Sequence, residues 1–284
     1  MPYLVPIDQA QQDYPEYNFV TALTPSEQKA AFHVKDGDGN DLCLKIIAPT
    51  FNLDRLQREI VALQAISHPN VVALREYTFS TAQGRQRHFL VEDFVAGNDL
   101  TQELDAEPMG LDRAQALFSA LADGLAALRV ANVVHRDLKP SNIRVSADGS
   151  PVIIDFGLAR HLGLADLTRT SDGAAIGTPS YFAPEQFTGT KWDIDHRTDL
   201  FALGVLLYQA LVGHHPFRTP SGMSMQALQD AVCGSSECLR DPSYLGLPRK
   251  WRLLIAKLLE KEPARRPQDA SQVASILRSM GTGA

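Results

Sequence analysis

The stretch His135-Arg136-Asp137-Leu138-Lys139-Pro140-Ser141-Asn142, followed by Asp155-Phe156-Gly157, decides the fold of this chain. Two short apolar segments lie between them, residues 143–145 and 152–154, on either side of Asp148-Gly149-Ser150-Pro151. This pattern predicts two strands joined by a tight turn, which would bring Asn142 close to Asp155.

The ordered set resembles the catalytic loop and the Asp-Phe-Gly motif of protein kinases. The resemblance implies that Asp137 accepts or orients the proton of a substrate hydroxyl, and that Lys139 contacts the transferring phosphoryl group. It also implies that Asn142 and Asp155 hold Mg²⁺ on the phosphates of ATP. Any one of these residues alone is more often a turn residue, so the resemblance depends on the ordered set.

A second segment resembles the part of a kinase that anchors the nucleotide. Leu42-Cys43-Leu44-Lys45 is similar to the strand motif whose lysine holds the α and β phosphates, which implies that role for Lys45. An amphipathic helix is predicted over residues 52–66. Glu59 lies on it and matches the glutamate that pairs with this lysine in active kinases. The alternative for Glu59 is a solvated charge on a helix surface.

Residues 89–97 resemble the last strand of a small lobe running into a hinge. The resemblance implies that the backbone of Asp93 and Val95 hydrogen-bonds adenine. It also implies that Asp99 reaches the ribose.

Later motifs follow in the order that the family has. Residues 177–185 resemble the substrate-docking segment, which contains Thr178 and ends in Ala-Pro-Glu at Glu185. Asp199 matches the aspartate that supports the catalytic loop from below. Arg266 matches the arginine that pairs with Glu185. We expect structural roles for the last three, because buried carboxylates need partners.

The polar segment from residue 158 to 182 is typical of a functional loop, because long loops are uncommon in compact domains. Its candidate phosphorylation sites are Thr168, Thr170 and Ser171. By resemblance, three arginines converge on a pocket for that phosphate: Arg55, Arg136 and Arg160. Two alternatives stay open: the arginines are unrelated and solvated, or the carboxylate of Asp172 holds the loop without modification.

The glycine-rich loop of the family is absent. Thr24, Ser26 and Lys29 occupy the three glycine places, and Pro25 has no N–H to donate. We therefore expect fewer backbone donors and weaker ATP binding than in a glycine-rich kinase. In one alternative, Lys29 contacts the phosphates itself.

The adenine pocket also departs from the family pattern. Glu92 falls at the gatekeeper place, which is normally apolar or Thr, and Arg144 falls where an apolar residue usually lies beneath adenine. A buried unpaired charge costs several kcal/mol, roughly, so these two residues pair with one another or reach water. A slip in the alignment is the alternative.

Composition sets further bounds. The 284 residues are 44% hydrophobic and 21% charged, which suits one or two globular domains, and the net charge of -6 argues against a general nucleic-acid surface. Three cysteines without zinc-type spacing fit a reducing compartment. The N-terminus lacks a signal-peptide pattern, and the longest apolar run, residues 200–213, is too short to span a bilayer. We expect a cytoplasmic protein without a membrane span.

Taken together, the motifs predict an α+β, two-lobed protein kinase fold: an N-terminal arm (1–17), a small lobe of antiparallel sheet plus one helix (18–96), and a mainly helical large lobe (97–284), with a single kinase domain over 18–280. The chain resembles the bacterial type of eukaryotic-like serine/threonine kinase. That implies transfer of the ATP γ-phosphoryl group to Ser or Thr of a protein substrate, autophosphorylation in the loop, and a candidate regulatory partner protein. The rivals are a pseudokinase that acts as a nucleotide-binding module, and a small-molecule kinase of related fold.

Overall fold

A computed structural model describes residues 2–26, 29–48, 60, 62–82, 85–105, 107–155, 179–188, 194–217, 224–234 and 236–280, with only the backbone for 79–82 and 85–87. The chain divides into two compact units, Met1–Val95 and Ala96–Ala284.

Unit 1 is built on a five-stranded antiparallel sheet of order β1-β2-β3-β5-β4. Its strands are β1 (Asn18–Ala22), β2 (Lys29–Lys35), β3 (Asp41–Ile47), β4 (Leu74–Ala82) and β5 (Arg85–Asp93). The β2–β3 hairpin closes where the Asp36 carboxylate accepts the backbone N–H groups of Asp38 and Asn40, at 3.0 and 2.9 Å. Residues 60 and 62–64 are helical, within the predicted helix 52–66.

The N-terminal arm covers one face of this sheet. Helix α1 (Ile7–Asp13) begins after Pro6, and the cluster that it joins contains Ala10, Tyr14 and the alternate β3 residues Leu42, Leu44 and Ile46. The Tyr14 ring meets the Phe89 ring of β5 edge to face, with centroids 5.0 Å apart. Helix α1 and Tyr14 therefore pack on the sheet of unit 1.

Unit 2 is mainly helical. Its helices are α2 (Leu100–Leu104), α3 (Leu111–Val130), α4 (Pro184–Thr188), α5 (His196–Val212), α6 (Met225–Gly234), α7 (Pro242–Leu245), α8 (Arg249–Leu258) and α9 (Ala270–Ser279), with short 3₁₀ turns at Pro140–Asn142, Glu237–Arg240 and Pro263–Arg265. Helix α5 is buried on all sides from Thr198 to Tyr208, because its sequence is apolar all round. Gly204 allows α8 to approach α5, because a Cβ there would lie 2.6 Å from Leu258 Cβ.

The deciding stretch of sequence forms a small second sheet in unit 2. Strands β6 (Asn98–Asp99), β7 (Ile143–Val145) and β8 (Pro151–Ile153) pair antiparallel in that order. The predicted strand–turn–strand is therefore present. It brings the Ile154 N–H within 2.9 Å of the Asn142 carbonyl oxygen, so Asp155 follows directly beside Asn142.

Candidate active site

The Asp137 carboxylate is held by two neighbours from the same loop. Lys139 Nζ donates to Asp137 Oδ2 at 3.0 Å, and Asn142 Nδ2 donates to the same oxygen at 3.2 Å and to the Asp137 carbonyl oxygen at 2.8 Å. The Asp137 side chain is 17% exposed, so solvent still reaches it. Two donors on one oxygen fix the direction of the carboxylate, as a positioned general base requires.

His135 is the buried centre of this loop. Its Nε2–H donates to the Ile154 carbonyl oxygen at 3.0 Å, and its Nδ1 accepts the Asp137 N–H at 3.3 Å. Donation from one ring nitrogen and acceptance at the other defines one neutral tautomer. The ring therefore joins the loop before Asp137 to the segment that leads into Asp155.

Asp199 supports the loop from the first turn of α5. Its two carboxylate oxygens accept the backbone N–H groups of His135 and Arg136, each at 2.8 Å. Complete burial raises the pKa of the Asp199 carboxyl, and the two N–H donors oppose that rise. Arg136 has a φ of 63°, a left-handed conformation that is uncommon for residues other than glycine. The Asp199 bonds stabilise that turn.

A second support comes from the segment after the docking motif. Gln186 Nε2 donates to the Arg136 carbonyl oxygen at 2.9 Å, while Gln186 Oε1 accepts the Ala183 N–H at 3.0 Å. Both backbone polar groups of Arg136 are therefore hydrogen-bonded: its N–H donates to Asp199, and its carbonyl oxygen accepts from Gln186. Glu185 pairs with Arg266, as predicted from the resemblance, and also accepts the Thr198 hydroxyl at 2.8 Å.

The site fits a divalent metal ion bound to phosphates. Because Asn142 donates from Nδ2 to Asp137, its amide oxygen is the side left to act as a ligand. Asp155 follows two residues after β8 with φ 57°, a left-handed conformation. A carboxylate and an amide oxygen on adjoining segments are suitable ligands for a hard cation that keeps several waters.

Lys45 has a partner that the sequence did not predict. Its Nζ forms an ion pair with Glu92 Oε2, and the two side chains are only 5% and 4% exposed. The expected partner, Glu59, lies outside the described residues. Arg144, predicted to pair with Glu92 or to reach water, donates from Nη2 to the Gly97 carbonyl oxygen. Glu92 is buried against Lys45, so the expectation that it reaches water is wrong.

Asp93 and Asp99, which were predicted to contact adenine and ribose, each form hydrogen bonds within their own unit. The Asp93 N–H donates to the Ala73 carbonyl oxygen at 3.0 Å, and its carboxylate pairs with Arg75 Nε at 2.5 Å. Asp99 caps α2 by accepting the Thr101 N–H at 2.9 Å. Val95 ends unit 1. The assignment of the Asp93 and Val95 backbone to adenine, and of Asp99 to the ribose, stays a prediction.

The segment that replaces the glycine-rich loop closes on itself. The Ser26 N–H donates to the Lys29 carbonyl oxygen at 2.9 Å, and the Lys29 N–H donates to Ser26 Oγ at 3.2 Å. In addition, Tyr3 of the arm donates its N–H to the Ser26 carbonyl oxygen at 2.8 Å. The N–H groups of Ser26 and Lys29 are therefore both engaged by protein acceptors, and the expected weaker binding of ATP stays a prediction.

Several predicted residues lie outside the described part of the chain: Glu59, Arg55, Arg160, Thr168, Thr170, Ser171 and Thr178. Their assigned roles stay predictions, as does the pocket that Arg136 was expected to share with two of them. Two contacts were missed by sequence reasoning: the bond from Gln186 to the Arg136 carbonyl oxygen, and the ion pair of Glu92 with Lys45. The Lys45–Glu92 pair could be predicted from the alternation of residues on β3 and β5 only if the register of the two strands were known.

A comparison with protein families decides the identity of the fold. The protein kinase domain model matches residues 30–277. The chain belongs to the protein kinase family. The predicted family and α+β fold class are therefore confirmed, and the family implies ATP with a divalent metal ion and a protein substrate.

The most similar relatives include bacterial serine/threonine kinases. The chain is 35% identical over 231 residues to serine/threonine-protein kinase pkn2 of Myxococcus xanthus, covering 79% of this chain and 27% of that protein. It is 33% identical over 251 residues to pkn3 of the same organism, and the match covers 84% of this chain and 44% of pkn3. It is 31% identical over 242 residues to PknB of Mycobacterium tuberculosis, and the match covers 83% of this chain and 37% of PknB.

The chain thus spans from about a quarter to a little under half of the length of these relatives. Their names agree with the predicted class, a serine/threonine kinase domain of bacterial type, and do not favour the pseudokinase alternative. Within the described residues, no helix is long and apolar enough to cross a bilayer.

Proposed function

We propose that this protein transfers the γ-phosphoryl group of ATP to a Ser or Thr hydroxyl of a protein substrate. The observation that supports this most is the arrangement at Asp137, whose Oδ2 receives both Lys139 and Asn142. The kinase match over residues 30–277 supplies the context for it. A carboxylate held in one direction, beside an ammonium and a metal-binding amide, suits phosphoryl transfer, which depends on positioning and charge neutralisation.

In the proposed mechanism, Asp137 orients the acceptor hydroxyl and takes its proton at a carboxylate oxygen. Lys139 lies 3.0 Å from that carboxylate and neutralises charge that develops on the phosphoryl oxygens. Asn142 and Asp155 would hold Mg²⁺, which would supply positive charge to neutralise the phosphates of bound ATP. Lys45, with Glu59 as its expected partner on the helix, anchors the α and β phosphates.

We further propose autophosphorylation at Thr168, Thr170 or Ser171, with a rise in activity. A phosphate adds about two negative charges and accepts charge-assisted hydrogen bonds from arginines, which would order a loop. A regulatory partner and a cytoplasmic location stay predictions.

The test is incubation of the full chain with radiolabelled ATP and Mg²⁺, alone and with a generic basic protein, followed by mapping of the labelled residues. The matched control is Asp137→Asn, which is nearly isosteric and should lose at least ~10²-fold of the rate, the low end for positioned acid–base groups. Label on Ser or Thr of the added protein, absent with the control, supports the proposal. A control as active as the wild type contradicts it.

Autophosphorylation has its own readout in the same samples. Mass spectrometry should find phosphate between residues 160 and 176 in the wild type and none there in Asp137→Asn. An active wild type without phosphate in that range contradicts the proposed switch and favours Asp172 as the residue that holds the loop.

A further inference from the structure

The ammonium of Lys45 is held by a carboxylate that belongs to the same sheet. Lys45 Nζ donates to Glu92 Oε2 between neighbouring strands β3 and β5. We infer that Glu92 is a positioning residue for the nucleotide, which holds the Lys45 ammonium in place for the α and β phosphates. This inference rests on the proposed function and adds to it a second counter-charge for the lysine, independent of Glu59.

The strand register determines this pair. Cys43 lies opposite Glu92 and Lys45 lies opposite Leu90, so Glu92 is the diagonal neighbour of Lys45 on the same face. Diagonal neighbours of an antiparallel pair are roughly 7–8 Å apart, which long side chains span. The other face carries Leu44 and Val91 in the core cluster. A slip of one residue would turn those core residues away from the core, so the hydrophobic pattern also holds Glu92 beside Lys45.

Because both side chains are buried, removal of either one should have a large effect on the other. Lys45 is 4% exposed and Glu92 is 3% exposed, so water compensates neither charge. A charge in such a place requires a partner of opposite sign, and loss of one partner leaves the other uncompensated. An ammonium group has three N–H donors. Donation to one oxygen of Glu92 is therefore compatible with donation to a phosphate when ATP binds.

The sheet therefore supplies a counter-charge for the Lys45 ammonium, which in the family pattern comes from the helix glutamate. In the family pattern, the lysine is placed when the helix glutamate reaches it. Here the carboxylate lies on the strand next to the lysine and needs no movement of another element to meet it. Two other roles for Glu92 are distinguishable from this one: it withdraws Lys45 from the phosphates, or it contacts the adenine base itself.

The experiment compares two ligands that differ in their phosphates. Calorimetry of the full chain measures the binding of adenosine, and of a non-hydrolysable ATP analogue with Mg²⁺, to wild type and to Glu92→Gln. We expect the substitution to weaken the ATP analogue at least tenfold and adenosine by less than twofold, because only the phosphates contact Lys45. The control is Glu16→Gln, an exposed carboxylate of the same unit, with less than twofold change for both ligands.

A double-mutant cycle tests whether Glu92 acts through Lys45. If it does, Glu92→Gln added to Lys45→Met should change affinity for the ATP analogue by less than twofold beyond Lys45→Met alone. Losses that multiply, an equal loss of adenosine, or tighter binding of the ATP analogue by Glu92→Gln would each overturn the inference. If thermal unfolding shows that Glu92→Gln does not fold, Glu92→Asp keeps the charge with one carbon less, and the same ligand-selective loss is expected.

Failure of this inference differs from failure of the proposed function. A wild type that transfers phosphoryl groups, with Glu92→Gln binding like Glu16→Gln, contradicts only the role of Glu92. A wild type that binds the ATP analogue but transfers nothing contradicts only the proposed function. A wild type that binds no ATP analogue overturns both.

Discussion

Arg266 and Glu185 form a bidentate ion pair inside unit 2, although 81 residues separate them in the chain. Arg266 Nη1 lies 2.6 Å from Glu185 Oε1, and Nη2 lies 2.8 Å from Oε2, with side chains that are 0% and 5% exposed. The guanidinium also faces the Phe201 ring of α5, 4.9 Å from its centroid. The pair therefore fastens the end of the docking segment, at Glu185 in α4, to α5 and to the turn before α9.

Removal of the arginine should destabilise unit 2 strongly. Arg266→Met leaves the Glu185 carboxylate buried without its partner, and we expect the free energy of unfolding to fall by about 3–5 kcal/mol. Urea unfolding measures this. The control is Arg265→Met: Arg265 is 63% exposed in its side chain and pairs with Glu262 at 2.9 Å, so its loss should cost less than about 1 kcal/mol. Equal effects of the two substitutions would contradict the assigned role of the buried pair.

Asp199→Asn should slow catalysis more than it weakens ATP binding. Asparagine keeps one acceptor oxygen, but its NH₂ would face the N–H of His135 or Arg136, so the turn before Asp137 would shift. A misplacement of that kind costs ~10²-fold in rate, and steady-state kinetics should show the loss in kcat with little change in KM for ATP. Asp195→Asn is the control. Asp195 caps α5 through the Arg197 N–H at 2.8 Å, and Asn is an equally good cap. A change in KM alone would show that Asp199 does not act through the loop.

Tyr14→Ala should destabilise unit 1. Tyr14 is 1% exposed and lies against Phe89, so truncation removes a large buried ring and leaves a cavity. We expect a loss of about 3–5 kcal/mol in the free energy of unfolding. Leu4→Ala, at a residue of the same arm that is 69% exposed, should change it by less than about 0.5 kcal/mol. Similar values for both substitutions would mean that the arm contributes little to the fold.

The stability of unit 2 should fall between pH 7 and pH 5 because of His215. Burial lowers the pKa of His215 to about 4, against about 6.5 in the unfolded chain. Below pH 6.5 the unfolded state binds the proton first, so stability present above that pH is lost as the pH falls. The loss from this group by pH 5 is up to about 2 kcal/mol.

His215→Asn tests that assignment. Asn offers an oxygen that can accept the Phe217 N–H, which His215 Nδ1 accepts at 3.2 Å. The pH dependence of urea unfolding should therefore become shallower in the variant, with the fold kept. An unchanged slope between pH 7 and pH 5 would assign the acid sensitivity to other groups.

Where periodicity or an ordered motif was strong, the sequence predicted the structure well. The strands expected on either side of Asp148-Gly149-Ser150-Pro151 are present as β7 and β8. The ion pair between Glu185 and Arg266 also followed from motif order. The two strands depend on local sequence. The ion pair depends on a buried carboxylate, which needs a partner of opposite charge.

Where a contact depends on register or on an aperiodic segment, the sequence was insufficient. The Lys45–Glu92 pair requires knowing that Cys43 lies opposite Glu92, which strand composition does not reveal. Helix α1 buries only Ala10 among its seven residues, too few to produce a helical period. Gln186 acts through backbone groups of Arg136 and Ala183, and such contacts leave no pattern in side-chain chemistry.

The arm also affects where this chain can be shortened. The family match begins at residue 30, so a boundary drawn from it removes α1 and β1 together. Phe32, Leu44 and Val91, each at most 1% exposed, would lose the side chains that cover them. An apolar face beside a new sheet edge promotes association between copies. A truncated domain chosen from the match alone would therefore be prone to aggregate, whereas one that begins before Tyr3 keeps the cover.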